Sequence, residues 1–171
     1  MSQWLNHLDA RDRALFARLA LTSHTALSLR RFWVMLTHLG GARVSIALAV
    51  MQLMLSRGSI AVTSRTLCLL ALSHLVVQLI KRSVGRPRPT AGEASAALVL
   101  IPDHFSFPSG HACAAMAIAV GLASVLPSLT VPLLILALLV GFSRVMLGVH
   151  YPGDVLMGQA IALMSAYPIL G

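Results

Sequence analysis

The 171-residue chain is far more apolar than a water-soluble protein of its size, with 57% hydrophobic and 11% charged residues. A soluble domain carries about 25% charged residues, so the composition argues against a soluble fold. The formal net charge of +8 does not indicate nucleic acid, because the basic residues lie at the ends of apolar blocks. Anionic lipid headgroups are therefore the expected partners.

The N-terminal region combines charges with helical periodicity. Residues 10–38 contain Arg18, Arg30 and Arg31, which make a membrane crossing costly. We therefore predict an interfacial helix there, with an extra span as the alternative. Charges at positions 9 and 11–13 leave no recognisable cleavable signal peptide. The helical spacing is carried by Leu15, Leu19, Thr22, Ala26, Leu29 and Trp33.

Five uncharged apolar blocks follow, and a bilayer-spanning helix needs about 20 apolar residues. We predict an all-α fold, a polytopic transmembrane helical bundle with five spans plus the interfacial helix, or six spans if residues 10–38 cross. Residues 1–171 form a single domain, and 81–107 is its long hydrophilic connection. Cys68 and Cys113 fall within spans and are expected to be buried packing residues. The predicted spans are 42–57, 59–80, 109–126, 130–147 and 153–170.

The alternation of spans brings the unusual polar residues to one membrane face. The second span ends where the hydrophilic connection begins and the third starts where it ends, so Lys81–Arg88 and Ser109–His111 lie on the same side. The fourth span returns to that side at Arg144, and the fifth leaves it from His150. The clusters that meet there are KRSVGRPRP (81–89), PSGH (108–111) and SRVMLGVHYPGD (143–154).

Each cluster alone has an ordinary structural explanation: a positive flank with a stiff turn, a helix N-cap and a polar span end. Together they supply an anion site. Lys81, Arg88 and Arg144 provide three cations, two of them forked guanidinium groups that match phosphate oxygens. The amides of Ser109 and Gly110, at a helix N-terminus, would complete a phosphate cradle.

Two histidines, His111 and His150, supply a nucleophile and a proton donor for phosphoryl transfer. His150 and Asp154 are four residues apart, so at a helical start they share a face and the carboxylate can orient the imidazole. Cations alone can stabilise the transferring group, so neither a metal nor a cofactor is expected. The remaining acidic residues are scattered and form no metal cage: Asp9, Asp12, Glu93 and Asp103.

These residues resemble the three-part signature of the type 2 phosphatidic acid phosphatase (PAP2) superfamily. The matching motifs are Lys81-x6-Arg88-Pro89, Pro108-Ser109-Gly110-His111 and Ser143-Arg144-x5-His150-x3-Asp154. The resemblance implies that His150 forms a phospho-histidine, that Asp154 orients it, and that His111 protonates the leaving alcohol and then activates water. It implies a helical bundle, commonly of six spans in bacterial membrane members. It also implies phosphate binding by Lys81, Arg88, Ser109, Gly110 and Arg144.

The expected function is hydrolysis of a phosphomonoester or pyrophosphate on a lipid, such as phosphatidate, phosphatidylglycerophosphate or a polyprenyl (pyro)phosphate. A site at the bilayer surface suits a substrate whose tails stay in the lipid. Two alternatives remain open: a lipid-linked phosphotransferase, and a non-catalytic lipid-binding or transport protein that kept the anion site. The expected partners are the lipid phosphate and membrane lipids, with no nucleic acid and no obligate protein partner.

Two arguments differ on which membrane face carries the site. If residues 10–38 stay on the surface, most basic residues lie on the active face, and the positive-inside rule predicts a cytoplasmic site. The PAP2 resemblance implies an outward-facing site in the bacterial inner membrane. We expect the site on the periplasmic or outer face. The charge count carries less weight, because it depends on residues 10–38, which are predicted either to lie on the membrane surface or to cross it.

Other polar residues receive ordinary interpretations. Tyr151 is expected to be an interfacial aromatic, and Arg82 and Arg86 either attract anionic lipid or flank a span. His74 is expected to be an interhelical hydrogen-bond partner, and His104 a solvated loop residue.

Overall fold

The computed structural model describes residues 3–22, 24–57, 59–89 and 104–170. Within these ranges the chain forms seven α-helices, a 3-10 turn (Pro127–Leu129) and one isolated antiparallel bridge between Pro87 and Phe105. The all-α fold class predicted from the sequence is confirmed. The helices are α1 (Gln3–Leu19), α2 (Leu27–His38), α3 (Ala42–Leu55), α4 (Ile60–Val84), α5 (Gly110–Ala123), α6 (Thr130–Met146) and α7 (Pro152–Leu170).

Helix α5 forms the centre of the bundle and contacts α3, α4, α6 and α7. Its sequence GHACAAMAIAVGLA consists largely of small residues, which let neighbouring helices approach closely in a membrane. Gly121 lies directly against Thr66 of α4, and a Cβ at Gly158 of α7 would collide with the carbonyl oxygen of Ser109. The start of α5 is therefore packed tightly against α7.

Three described elements are long and apolar enough to cross a membrane: α4, the 3-10 turn with α6, and α7. Helices α2 and α3 pass the same test only as a pair, bent by 54° at the break between them. The predicted spans 42–57 and 109–126 correspond to the 14-residue helices α3 and α5, each about 21 Å long. Three or four spans by length are in rough agreement with the predicted five.

The N-terminal region forms two helices, where a single interfacial helix or an extra span was predicted for residues 10–38. Helix α1 contacts α6 and α7. Helix α2 packs its buried Trp33 in one cluster with Val149, at the end of the bundle where α7 begins. The chain then breaks at Gly40, where a Cβ would lie 2.6 Å from the carbonyl oxygen of His111. Only glycine permits this approach.

Helix α4 extends one turn beyond its predicted end, because Lys81 is buried in the bundle rather than placed at the membrane surface. Gly85 ends the helix in the left-handed conformation, with a φ of 61°, and its amide donates to the carbonyl oxygen of Lys81 at 3.0 Å. This is the common glycine termination of helices. Cys113 is buried as expected, whereas Cys68 is exposed on the outward side of α4.

Candidate active site

The predicted site residues converge at one end of the bundle. Helix α4 and the segment after it supply two cations, the start of α5 supplies the PSGH motif, and the α6–α7 junction supplies the third motif. Most of the charged side chains are buried, which is costly unless they meet opposite charge or bind an anion. The residues brought together are Lys81, Arg88, Ser109, Gly110, His111, Arg144, His150 and Asp154.

Arg88 and His150 are in direct contact. Nη1 of Arg88 lies 3.0 Å from Nε2 of His150 and donates to the carbonyl oxygen of Val149 at 2.8 Å. The loop folds back on the end of α6, with the amides of Val149 and His150 donating to the carbonyl oxygen of Arg144. Gly148 has a φ of 76°, a left-handed conformation that permits the turn. The imidazole is thus fixed with Nε2 facing a guanidinium group.

Asp154 faces the opposite side of the same imidazole. Its Oδ2 lies 3.5 Å from Nδ1 of His150 and accepts a hydrogen bond from the amide of Tyr151 at 2.8 Å. The 3.5 Å separation is an ion-pair distance, longer than a usual hydrogen bond, and within the described chain Nδ1 has no hydrogen-bond partner. Catalytic contacts often shorten only when substrate binds. Asp154 is therefore placed to orient the ring.

His150 is held in its neutral form. Burial is the largest cause that lowers its pKa well below 6.5, and the positive charges of Arg144, Arg88 and Lys81 lower the pKa further. A neutral imidazole keeps a lone pair on one nitrogen, as a nucleophile requires. Because Nδ1 is directed at Asp154, that lone pair is at Nε2.

The three predicted cations lie around His150 and are at most 7% exposed. Nζ of Lys81 donates to a backbone carbonyl oxygen at 3.3 Å, and Nη1 of Arg144 donates to the hydroxyl oxygen of Thr37 in α2 at 2.8 Å. Their positive charge converges on one imidazole. This arrangement suits a phosphoryl group, whose oxygens accept several charged N–H donors.

The start of α5 carries the PSGH motif. Ser109 caps the helix, and its hydroxyl accepts from the amide of Ala112 at a long 3.5 Å. The amide of Ser109 was predicted to help cradle phosphate, but it donates instead to the carbonyl oxygen of Asp154 at 2.9 Å. Ser109 therefore joins α5 to α7. Phosphate binding by the amide of Gly110, the other half of the predicted backbone cradle, stays a prediction.

His111 lies beside the cations and the second imidazole. Its carbonyl oxygen packs against Gly40, and a Cβ at Gly41 would lie 3.9 Å from its Nε2. The break between α2 and α3 therefore forms one wall around His111. His111 lies near enough to Arg144, His150, Arg88 and Lys81 for their charges to act on it.

Arg86 is the most consequential residue that sequence reasoning missed. It forms ion pairs with Asp154 of α7 and with Asp9 and Asp12 of α1. The two α1 carboxylates, interpreted as scattered, therefore converge on the site, and Tyr151, interpreted as an interfacial aromatic, is buried under Arg86. The three-residue spacing of Asp9 and Asp12 places both on one helix face, which was the only signal available.

Ser106 joins the two described ends of the predicted 81–107 connection through hydrogen bonds. This residue is fully buried, its amide donates to the carbonyl oxygen of Arg86 at 2.8 Å, and its hydroxyl donates to that of Pro87 at 3.0 Å. Residues 90–103 of that connection, which include Glu93 and Asp103, lie outside the described residues.

The remaining residues with ordinary interpretations differ in their outcome. His104 and Arg82 are exposed. Among the described residues, the hydrogen bond of His74 is to Gln78 of its own helix at 3.1 Å, so the interhelical bond predicted for His74 is wrong. In the described chain no group of three or more His, Cys, Asp or Glu side chains is arranged to hold a metal ion. The three converging carboxylates surround an arginine instead.

The fold and the site together define a protein of long apolar helices with a buried cluster of cationic and histidine side chains at one end of the bundle. The sequence pattern of the PAP2 superfamily matches residues 63–170, more than half of the chain and all three motifs. The chain therefore belongs to the PAP2 superfamily, and the resemblance seen in its motifs is confirmed.

The curated relatives are similar to this chain over about half of their own length or less. The decaprenylphosphoryl-5-phosphoribose phosphatase of Mycobacterium tuberculosis is 44% identical over 91 residues, which cover 52% of this chain and 49% of that protein. The lipid A 1-phosphatase of Rhizobium etli is 37% identical over 93 residues, which cover 52% of this chain and 40% of that protein. This chain thus spans about half the length of the relatives it matches.

Solved structures share the fold over nearly the whole chain. The transmembrane PAP2-type phosphatidylglycerolphosphate phosphatase from Bacillus subtilis has a TM-score of 0.79 at 28% identity, covering 96% of this chain and 85% of that chain. LpxE from Aquifex aeolicus has a TM-score of 0.75 at 26% identity, covering 92% and 93%. With the long apolar helices, these likenesses identify an integral membrane protein.

Proposed function

We propose that this protein is a lipid phosphate phosphatase that works through a phospho-histidine at His150. The contact that carries the proposal is the 3.0 Å approach of Arg88 to Nε2 of His150, with Asp154 at the other ring nitrogen. A phosphoryl oxygen bound by Arg88 places its phosphorus beside the lone pair. Positioning and charge are what phosphoryl transfer mainly requires of a protein.

The substrate class is proposed from the relatives and from the place of the site in the bundle. Related proteins are phosphatases of decaprenylphosphoryl-5-phosphoribose, lipid A and phosphatidylglycerophosphate, or a diphosphatase of undecaprenyl diphosphate. The site lies at one end of the bundle, where a lipid phosphate can enter while its tails stay in the bilayer. We propose phosphatidate, phosphatidylglycerophosphate and polyprenyl (pyro)phosphates as the candidate substrates.

In the first step, Nε2 of His150 attacks phosphorus, a P–N bond forms, and the bond from phosphorus to the lipid oxygen breaks. His111 donates a proton to that oxygen, so a monoester leaves as a neutral alcohol. The negative charge of the bound phosphate favours the protonated form of His111 among the cations. Those cations stabilise the charge on the equatorial oxygens, and Asp154 stabilises the positive charge that develops on the ring of His150.

In the second step, water replaces the histidine. His111, which has lost its proton, accepts one from a water molecule as the water oxygen attacks phosphorus. The P–N bond breaks, its electron pair returns to Nε2 of His150, and inorganic phosphate leaves. Both histidines are then in their starting states, and no group outside the chain, the substrate and water is required.

A phosphate-release screen tests this proposal. The purified protein in detergent is given each candidate lipid in the presence of EDTA, with and without an acceptor lipid. We expect inorganic phosphate from at least one lipid, at a rate that EDTA does not change, because cations of the chain replace a metal. Phosphate transferred to the acceptor would identify a phosphotransferase, a rate lost in EDTA would contradict the metal-free mechanism, and no product from any lipid would contradict catalysis.

We propose that the site faces the periplasm or outer side of a bacterial inner membrane, as the family resemblance implies. The basic residues of α1 and α2, which lie at the site end of the bundle, favour the cytoplasmic face under the positive-inside rule.

Labelling of engineered cysteines measures the orientation. Cys68 and Cys113 are first replaced by Ala, and His104→Cys is then compared with Ser128→Cys, since both positions are exposed and lie at opposite ends of the bundle. We expect a membrane-impermeant maleimide to label the cysteine at 104 in intact cells and the cysteine at 128 only after permeabilisation. The reverse pattern would place the site in the cytoplasm.

A further inference from the structure

Arg86 connects three carboxylates that belong to two different helices. Its Nη1 lies 2.6 Å from Oδ1 of Asp154 and 2.8 Å from Oδ2 of Asp12, and its Nη2 lies 2.7 Å from Oδ1 of Asp9. The Arg86 side chain is 15% exposed and that of Asp154 is fully buried. The Arg86–Asp154 pair is therefore screened far less by salt and water than a surface pair.

The contact with Arg86 fixes the orientation of the Asp154 carboxylate. One oxygen of Asp154 is held by Arg86, and the other accepts the Tyr151 amide and faces Nδ1 of His150. With both oxygens occupied, the carboxylate cannot rotate without breaking a buried contact. Arg86 itself reaches His150 only through Asp154, so its effect on the nucleophile is indirect.

Helix α1 is attached to the start of α7 at several further points. Oδ1 of Asp12 accepts the amide of Gly153 at 2.8 Å, and a Cβ at Gly153 would lie 2.9 Å from Oδ2 of the same carboxylate. The ring of Phe16 packs edge-on against Tyr151 with centroids 5.3 Å apart. The guanidinium of Arg86 also stacks over the Tyr151 ring, 4.2 Å from its centroid. Helix α1 therefore packs against Arg86, Tyr151 and the start of α7, which together hold Asp154 in place.

We propose that Arg86 is a positioning residue for Asp154, and that α1 holds Arg86 in place through Asp9 and Asp12, so that docking of the N-terminal helix sets the orientation of His150. This inference rests on the proposed phosphatase function. It assigns a catalytic consequence to a helix that the sequence presents as a membrane-surface element.

Arg82 provides a matched control for Arg86. Both are arginines in the KRSVGRPRP stretch, but Arg82 is exposed, whereas Arg86 bridges the carboxylates. We expect Arg86→Ala to lower kcat about 10- to 100-fold, the same range as for losing an outer-shell partner that orients a metal-ligating residue. KM should change little, because neither Arg86 nor Asp154 is expected to contact the lipid. Arg82→Ala should keep the wild-type kcat.

Conservative variants separate charge from geometry. Arg86→Lys keeps the positive charge but has no fork with which to contact all the carboxylates, so its kcat should lie between those of Arg86→Ala and the wild type. Asp12→Asn keeps an acceptor for the Gly153 amide and removes one ion pair, so it should fold and lower kcat less than Arg86→Ala. Thermal unfolding of each variant reports separately on stability.

A second readout does not depend on turnover. The ¹⁵N chemical shifts of the His150 ring, identified by their loss in His150→Ala, report which nitrogen carries the proton. We expect the Nδ1–H tautomer in the wild type and in Arg82→Ala, and a shift toward mixed tautomers in Arg86→Ala and, to a smaller extent, Asp12→Asn. If the wild type cleaves no lipid, the phosphatase proposal fails, and these shifts alone decide the positioning role.

Three results would overturn the inference. One is an Arg86→Ala protein with wild-type kcat, unchanged ¹⁵N shifts and an unchanged unfolding temperature. Another is a rise in KM with kcat unchanged, which would place Arg86 in direct contact with the phosphate. The third is a fall in the unfolding temperature of Arg86→Ala and Asp12→Asn with kcat and the His150 shifts retained, which would reduce α1 to a stabilising element.

Discussion

Replacing His150 by Ala will reduce lipid phosphate release by at least about 10⁴-fold, the scale of loss seen when a covalent nucleophile is removed. The reason is that the cations can still bind the phosphate, but no lone pair remains at the point where Nε2 faces Arg88. The measurement is the initial rate of phosphate release from the best lipid of the screen. After reaction with radiolabelled lipid and rapid quenching, acid-sensitive radioactive phosphate should be bound to the wild-type protein and not to the variant.

His104→Ala is the matched control, because it removes an exposed imidazole at the same end of the bundle. It should retain the wild-type rate and the labelled intermediate. Since His150 is 2% exposed, thermal unfolding must show that His150→Ala keeps its fold. A folded variant with a rate within about tenfold of the wild type would remove His150 from the role of nucleophile.

The elements that interact mainly with lipid were the most predictable from the sequence. An uncharged run of apolar residues has few alternatives to a membrane helix, and the runs at 130–147 and 153–170 agree with α6 and α7 to within a residue or two. Alternation of the spans then placed the three motifs at one end. The approach of Arg88 to His150 follows from that alternation together with the motif residues themselves.

Features that depend on contacts between distant elements were not predictable. The sequence predicts that Lys81 flanks a span at the membrane surface. In the structure Lys81 lies within α4 and is buried in the site, because distant segments of the chain surround it with polar groups. The amide of Ser109 binds the carbonyl oxygen of Asp154, a pairing that depends on how closely α7 packs. Asp9 and Asp12 have a shared helix face but no visible partner until Arg86 is placed beside them.

Replacing His111 by Ala will separate two substrates that differ in the basicity of their leaving groups. A lipid alcohol needs a proton as it departs, so its release should fall about 10²- to 10⁴-fold, the usual contribution of a general acid. 4-Nitrophenolate is a stable leaving group and does not need that proton, so it should still be displaced by His150. The second step continues to need His111 as a base, and the phosphorylated protein should therefore accumulate.

Rapid mixing of His111→Ala with 4-nitrophenyl phosphate should then show a burst of about one nitrophenolate per protein, followed by slow turnover. His74→Ala is the control, because this imidazole lies beside Gly110 and has no proposed role in the reaction, so it should behave like the wild type. Equal losses on both substrates without a burst would mean that His111 supports binding or folding. The lipid alcohol would then have to be protonated by another group.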